Sequence, residues 1–452
     1  MPHKRHFRPR SDPSASNFRV FGPLRSLVDT PTPAQTLVAS PLALTSEDFV
    51  ARFAGTIRHA GQGGRSGALA AYRAVFREGK LDIPGAAATV PPIVRTLREQ
   101  SPEGEVVKFL SRLETRAANH VHAEPTFAFG PAPSGAATRD PNAPGTGHGR
   151  DVSHRFETLD IESVLIPMIG SSGQTTYTLC VSSQVGCAMG CTFCETGQMG
   201  LIRSLTAAEI VSQWWNAAHR IGIRPKNIVF MGMGEPMDNL DEVLKAIAVL
   251  KDHNGPHVAI SQICISTVGR VDGIEKLSRH VRTPGWHRLG LALSLNAPND
   301  ADRSKIMPIN RRWNLADLQK ALLAWPQTSG NKVCVEYVLI PGVNDTQEHA
   351  RQIAEFMTPF GLLSNGRING TRVMAILNLI PYNPRRESPW PAPTEEKVAE
   401  FLGWLMELGV FAKRRRTKGR DMMGACGQLG TENIRQRKPV QPTIGASDAA
   451  RM

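Results

Sequence analysis

The sequence of 452 residues is short of several things that decide fold classes: aromatic residues make up 6% of it and cysteines number seven. No apolar run approaches the ~18 residues that would cross a bilayer. The basic start is not followed by the apolar segment of a secretory signal. Seven cysteines in this length are too sparse for a disulfide scaffold. These shortages predict a cytoplasmic chain with no membrane partner, in a reducing compartment where cysteines serve metals or catalysis. An internal repeat is also missing, and the composition excludes a collagen-like, coiled-coil or wholly disordered chain.

Acids are short as well, 40 against 53 bases, for a net charge of +13. The excess is concentrated. Residues 1–25 hold six bases and one acid, and residues 413–420 hold six bases and no acid. Patches of Lys and Arg suit a polyanion, because they displace counterions from phosphates. A solubilising tail reads the same way, and for the N-terminal run the two readings stand level.

Texture divides the chain. Residues 1–45, rich in Pro, Ser and Arg, read as a disordered basic arm. Residues 46–122 read as a small helical accessory domain. Phe49, Phe53 and Ile57 fall at helical spacing, as do Val106, Leu110 and Leu113. Residues 123–155 repeat Pro and Gly and read as a linker. From 156 to 430, short Val/Ile/Leu runs at 176–183, 227–232, 259–266, 288–295, 333–340 and 372–380 alternate with amphipathic stretches. Runs without strict alternation suit parallel strands covered on both sides. Six such units predict an α/β fold, a partial (β/α)6 barrel with functional residues at the C-terminal strand ends. A last strand at 409–413 leads into the basic cluster, and residues 431–452 read as a disordered tail.

Four of the seven cysteines crowd into fifteen residues: Cys180, Cys187, Cys191 and Cys194. The last three form C-x3-C-x2-C after the first core strand. Soft thiolates favour iron–sulfur or zinc. A structural zinc site and a ferredoxin-type cluster both want four protein ligands. Three therefore argue for a metal with an open coordination position. Cys264 and Cys334, inside strand runs, read as packing residues.

The same spacing resembles the signature of radical S-adenosylmethionine enzymes. Further segments occur in order: Thr-Leu-Cys-Val-Ser-Ser-Gln-Val-Gly-Cys (178–187), Gly-Met-Gly-Glu-Pro-Met-Asp-Asn (232–239), Ser-Leu-Asn-Ala-Pro-Asn-Asp (294–300), Pro-Gly-Val-Asn-Asp (341–345), Ile-Pro-Tyr-Asn-Pro (380–384) and Ala-Cys-Gly-Gln-Leu (425–429). Together, over about 156–430, they resemble the RlmN/Cfr family of RNA adenine methyltransferases.

The resemblance implies a [4Fe-4S] cluster on Cys187, Cys191 and Cys194, and two S-adenosylmethionine molecules per turnover. One methylates Cys426 and the other yields a 5′-deoxyadenosyl radical that activates this methyl group. It implies that Cys180 resolves the protein–RNA crosslink through a transient disulfide with Cys426. Glu162, in Ile-Glu-Ser-Val-Leu-Ile-Pro, matches the proton acceptor. Gly234, Glu235, Ser266, Ser294, Leu295, Asn296 and Asn383 match cofactor contacts. The implied partners are large-subunit ribosomal RNA, with tRNA as a second candidate, and an electron donor such as flavodoxin, acting on a monomer. Carbon 2 of adenine is preferred over carbon 8. The chain departs from the family at Asn296, where histidine is common, and in its long N-terminal part. Two alternatives remain at this point: another radical enzyme such as an activase, which needs neither Cys180 nor Cys426, and an RNA-binding iron–sulfur protein without catalysis.

Overall fold

The structure is a computed structural model that describes residues 40–83, 86–87, 89–114, 156, 158–170, 172–326, 333–361, 363–364, 367–368 and 375–430. Residues 1–39 of the basic arm, the whole 123–155 linker and the 431–452 tail lie outside the described residues.

The described chain opens with two helices, α1 (Ser46–His59) and α2 (Gly64–Arg73). Thr45 caps α1 by accepting from the Asp48 N–H, and Glu47 and Asp48 complement the helix dipole. Phe49, Phe53 and Ile57 form its buried face, as their spacing predicts. The scarce aromatics collect here. Phe49, Tyr72 and Phe76 follow one another at ring separations of 5.4 and 4.9 Å, and Phe76 meets Trp214 of the core at 6.3 Å. The Trp215 indole N–H donates to the Val75 carbonyl at 2.9 Å, fastening the helical pair to the core.

Two short strands, β1 (Asp82–Ile83) and β2 (Ala86–Ala87), precede a hairpin of β3 (Ile93–Ser101) and β4 (Gly104–Leu113). Here the helical reading of 46–122, which the helices at 46–78 match, fails for 93–113. Val106, Leu110 and Leu113 keep helical spacing, yet Val106 through Leu110 are all buried, so β4 is covered on both faces. A continuous apolar run of this kind carries no period that separates strand from helix.

The hairpin is also not a separate body. β4 pairs with β5 (Leu159–Ile169), which pairs with β6 (Thr175–Cys180), all antiparallel. From β6 the pairing turns parallel, through β9 (Asn227–Phe230), β10 (Ile263–Thr267), β11 (Gly290–Ser294), β12 (Val333–Leu339), β15 (Ala375–Pro381) and β16 (Ala412–Arg414). One ten-stranded sheet results, open at β3 and β16. The small pairs β7 (Gln184–Gly186) with β8 (Leu201–Ser204), and β13 (Leu363–Ser364) with β14 (Arg367–Ile368), stand apart from it.

Helices return the chain between the parallel strands: α4 (Ala207–Trp215), α5 (Leu240–Leu250), α6 (Val271–His280), α7 (Asp300–Ile306) with α8 (Leu315–Leu323), α9 (Gln347–Met357) and α10 (Glu395–Glu407). The partial (β/α)6 barrel predicted from the sequence is present. Each parallel strand divides its side chains by alternation. On β12, Val333, Val335, Tyr337 and Leu339 are buried under the helices, Tyr337 stacking on Phe401 of α10 at 5.8 Å. The alternate residues, Cys334, Glu336 and Val338, face the opposite side. Cys264 and Ser266 do the same on β10. Cys264 and Cys334 are therefore only half-buried and line the concave face, unlike the packing residues the sequence suggested.

Candidate active site

The concave face is where the sheet places polar groups. Register puts Cys180 level with Val229 and Cys264, and Ser266 level with Ala292 and Cys334. Glu336 lies level with Ser294 and Asn378. Glu336 is buried, and burial raises its pKa, while Arg415 opposes this. Its carboxylate accepts from the Ser266 hydroxyl at 3.3 Å and pairs with the Arg415 guanidinium at 3.2 Å.

Arg415 follows β16, where its backbone N–H donates to the Leu379 carbonyl at 2.8 Å, so the sheet fixes its position. Beyond it the chain folds back as a loop bearing Cys426. Cys180, Met231, Ile380, Asn383, Arg415 and Cys426 line one pocket. Both thiols are free. Burial pushes Cys180 up to about 12, with the nearby Cys426 adding to the shift. Cys426 is also raised by burial, whereas Arg415 pulls it down. A guanidinium beside a buried thiol favours thiolate, the nucleophilic form. Asn383 steadies the loop: its amide donates to the Cys426 carbonyl at 3.4 Å and its oxygen accepts from Arg420 Nε at 3.2 Å.

Cys187, Cys191 and Cys194 lie on the next turn of chain, between β7 and α3 (Glu195–Met199). Gly186 makes the turn possible. Its φ is +75°, and a Cβ there would fall 1.8 Å from the Gly200 carbonyl oxygen. The Cys187 N–H then bonds that same carbonyl at 3.0 Å, and the Cys194 N–H bonds the Cys191 carbonyl at 3.2 Å. The two loops touch: the Glu195 N–H donates to the Gly427 carbonyl at 2.7 Å, and the Thr196 hydroxyl donates to the Leu429 carbonyl. Among the described residues no three donor side chains are already gathered to the spacing of a bound ion. The donor set nonetheless fits an iron–sulfur cluster, with three neighbouring soft thiols on one tight loop and no fourth cysteine beside them.

The remaining expected cofactor contacts gather at strand ends. Gly234 has φ +100°, and a Cβ would come within 2.6 Å of the Gln184 side chain. Glu235 is buried and its carboxylate accepts from the Met237 and Val268 N–H groups at 3.1 and 3.0 Å. Burial, then Asp238, pushes its pKa up to about 7. Ser266 and Ser294 close β10 and β11. Leu295 is fully buried, its N–H bonded to the Glu336 carbonyl. Asn296 sits at φ +56°, a left-handed conformation that Asn and His adopt more readily than most residues. Its side chain is spent on the Val338 N–H at 3.0 Å and on Met307 Sδ.

Glu162, on β5, is 3% exposed. Its carboxylate pairs with Lys108 at 2.9 Å and accepts from the Gly430 N–H at 3.0 Å. Lys108 and the Glu336–Arg415 pair were not singled out from the sequence. The signal was a charge inside an apolar run, in Val-Val-Lys-Phe-Leu and in Val-Cys-Val-Glu-Tyr-Val. Arg303 was missed too. It is fully buried and donates to the Val268, Ser294 and Leu295 carbonyls and to Asn310, so it braces two strand ends at the expected cofactor contacts. The basic run is less open to phosphates than its charge suggests. Arg414 pairs with Glu395, Arg415 with Glu336, and both Arg416 and Lys418 with Glu103.

Residues 181–357 match the model of the Radical SAM superfamily. A probable dual-specificity RNA methyltransferase RlmN 1 from Protochlamydia amoebophila is 43% identical over 64% of this chain and 75% of its own length. The chain belongs to the RlmN family of radical S-adenosylmethionine RNA methyltransferases. A dual-specificity RNA methyltransferase RlmN from Lawsonia intracellularis is 42% identical over 61% of this chain and 74% of its own. The crystal structure of a radical SAM methyltransferase from Sphaerobacter thermophilus aligns with 86% of this chain and 98% of its own, at 30% identity and TM-score 0.65. As a member of this RlmN family the chain is an enzyme, and the family implies a four-iron cluster and S-adenosylmethionine, for which the cysteine loop and strand ends supply fitting donors. No described helix is long and apolar enough to cross a membrane.

Proposed function

We propose that this enzyme methylates an adenine ring carbon in RNA, carbon 2 in preference to carbon 8, through a methylated Cys426. The substrate is large-subunit ribosomal RNA, with tRNA as a second one. The observation that carries the reading is the shared pocket of Cys180 and Cys426 under Arg415, beside the cysteine loop. An iron–sulfur protein without catalysis needs no such pair, and an activase needs neither thiol.

Cys187, Cys191 and Cys194 would hold the cluster, and Gly234, Glu235, Ser266, Ser294, Leu295 and Asn383 would shape the S-adenosylmethionine site. Asn296 belongs to the same set of proposed contacts. With both groups bound, the site supplies a carbon-centred radical able to take hydrogen from a methyl group. The chain does the rest. Cys426, as thiolate beside Arg415, accepts a methyl group from one S-adenosylmethionine, and a second is consumed in activating it. Once the methylene carbon is joined to adenine, the radical adduct would return one electron to the oxidised cluster and Glu162 takes the ring proton. Cys180, giving up its thiol proton, then attacks the Cys426 sulfur; the sulfur–carbon bond breaks with its electron pair going to the carbon, which takes up a proton to become the methyl group, and a Cys180–Cys426 disulfide is left that a thiol reductant reopens. The base must leave its stack to reach this pocket. An electron donor such as flavodoxin serves a monomeric enzyme in the cytoplasm.

The test is anaerobic reconstitution with RNA, reductant and methyl-labelled S-adenosylmethionine. Wild type yields 2-methyladenosine and consumes two S-adenosylmethionine per methyl group. Cys426→Ala yields no methylated base, and Cys180→Ala accumulates a covalent protein–RNA adduct. Methylation that survives Cys426→Ala sinks the reading, and 8-methyladenosine alone overturns the choice of carbon.

A further inference from the structure

Lys108 is buried in the apolar strand β4, in the part of the chain the family's motifs do not reach. It is 2% exposed. Its ammonium has two partners that lie far apart in sequence: the Glu162 carboxylate at 2.9 Å and the carbonyl of Met423 at 2.8 Å. The carboxylate oxygen that meets Lys108 also accepts the Gly430 N–H at 3.0 Å. Met423 is three residues before Cys426 and Gly430 is four after it. One ion pair thus holds both flanks of the loop that carries the reactive cysteine.

We propose that Lys108 is a positioning residue for Cys426. Together with Glu162 it fastens the 423–430 loop at both sides, and the same carboxylate acts first as latch and then as base. The fastening stands on the contacts alone; the second role rests on the reading of Glu162 given above.

The chemistry of the contacts explains why a charged pair serves here. A buried carboxylate bonded to an ammonium and an N–H is held strongly while it is ionised. When it takes a proton it becomes neutral, no electron is transferred, and the attraction to Lys108 and the bond from Gly430 both weaken. Glu162 is buried and does not line the pocket shared by Cys180 and Cys426, and its carboxylate is engaged by the Gly430 N–H of the loop. Loop opening exposes the carboxylate, and its protonation favours the open position, in which the crosslinked sulfur moves with the loop. An apolar pair of the same volume would hold the strands without this dependence on charge.

Hydrogen exchange of the cluster-loaded, full-length enzyme tests the proposal, read over peptides within 416–430. Lys108→Met is expected to speed exchange there about tenfold while strands β10 to β12 keep their protection, and Lys108→Arg, which retains the charge and donors, is expected to restore most of it. Glu162→Gln is expected to speed exchange in the same peptides. In parallel, the fraction of Cys426 found methylated after one S-adenosylmethionine addition falls in Lys108→Met and recovers in Lys108→Arg. If Lys108→Met does not fold, Lys108→Met/Glu162→Leu removes both charges together and must still lose loop protection. Wild-type exchange over 416–430 in Lys108→Met, or in the double variant, overturns the proposal. None of these readouts needs RNA. A Glu162→Gln enzyme that opens its loop and still methylates removes the base role and leaves the fastening intact.

Discussion

Two loops meet at the mouth of this sheet and are held by different balances of backbone and side chain. The cysteine loop, 187–194, is fixed chiefly by backbone: a left-handed glycine with no room for a side chain, and N–H to carbonyl bonds at 3.0 and 3.2 Å, with Arg385 and Gln198 donating to the Thr192 and Cys191 carbonyls. The Cys426 loop is held largely by side chains, many of them charged: Lys108, Glu162, Arg420 and Asn383. Backbone bonds do not respond to protonation. Charged side-chain contacts do. On the proposed reading the first loop holds a metal steady and the second moves a reactive sulfur between cofactor and base, which calls for one loop of each kind.

The largest way to break this contrast is Gly186→Ala. The left-handed backbone alone costs about 1–3 kcal/mol for a residue with a Cβ, and the clash with the Gly200 carbonyl adds to it. Iron content after reconstitution should fall to background and methylation with it. A variant that binds iron normally would show that the cysteine loop is not set by its backbone.

Glu235 sharpens the cofactor side of the comparison. Its pKa in the folded chain is about 7 against an ordinary 4.5, so the folded state binds its proton more tightly than the unfolded one. The contribution is fully present below pH 4.5 and is lost as pH rises through 7, on the order of 3 kcal/mol at most. Glu235→Gln should flatten this part of the pH dependence, measured as the denaturant midpoint at pH 5 and pH 8. Equal pH dependence in the two proteins rules the carboxyl out as its source.

Arg415→Met probes the charged loop. Without the guanidinium the Cys426 thiol rises further, and each unit removes about tenfold of thiolate at neutral pH. Methyl loading of Cys426 at pH 7 should slow about tenfold and its pH profile should move to the alkaline side. An unshifted profile would mean that Arg415 does not set the nucleophile. The smallest effect belongs to Thr196→Val, which cuts the hydrogen bond between the loops, and the side-chain bond to Cys194 with it, at a cost of about 1 kcal/mol each. Iron content should hold while turnover drops a few-fold, and the reverse pattern would reassign these bonds to cluster binding.

Much of the fold was legible because parallel strands buried on both sides leave continuous Val/Ile/Leu runs, as at 263–267 and 333–339. The hairpin was not, since Val106, Leu110 and Leu113 keep helical spacing by coincidence inside a run buried on both faces. The cysteine loop was legible from spacing alone. Cys180, Cys426 and Glu162 were found only by resemblance, because a strand cysteine and a lone glutamate look ordinary in sequence. Lys108, Arg303 and the Glu336–Arg415 pair stayed hidden for a further reason. Each takes its meaning from partners placed by the fold, and Lys108 meets Met423 across 315 residues.

That separation also bears on how the enzyme is made. A ribosome synthesises Lys108 early and residues 423–430 late, so every residue of the sheet and of the cysteine loop is made before the proposed methyl acceptor. A nascent or truncated chain ending before Gly424 keeps every strand of the sheet yet has no thiol at which to begin methyl transfer. On the proposed reading the methyl acceptor comes with the last stretch of the described chain, which closes onto a lysine in its first quarter.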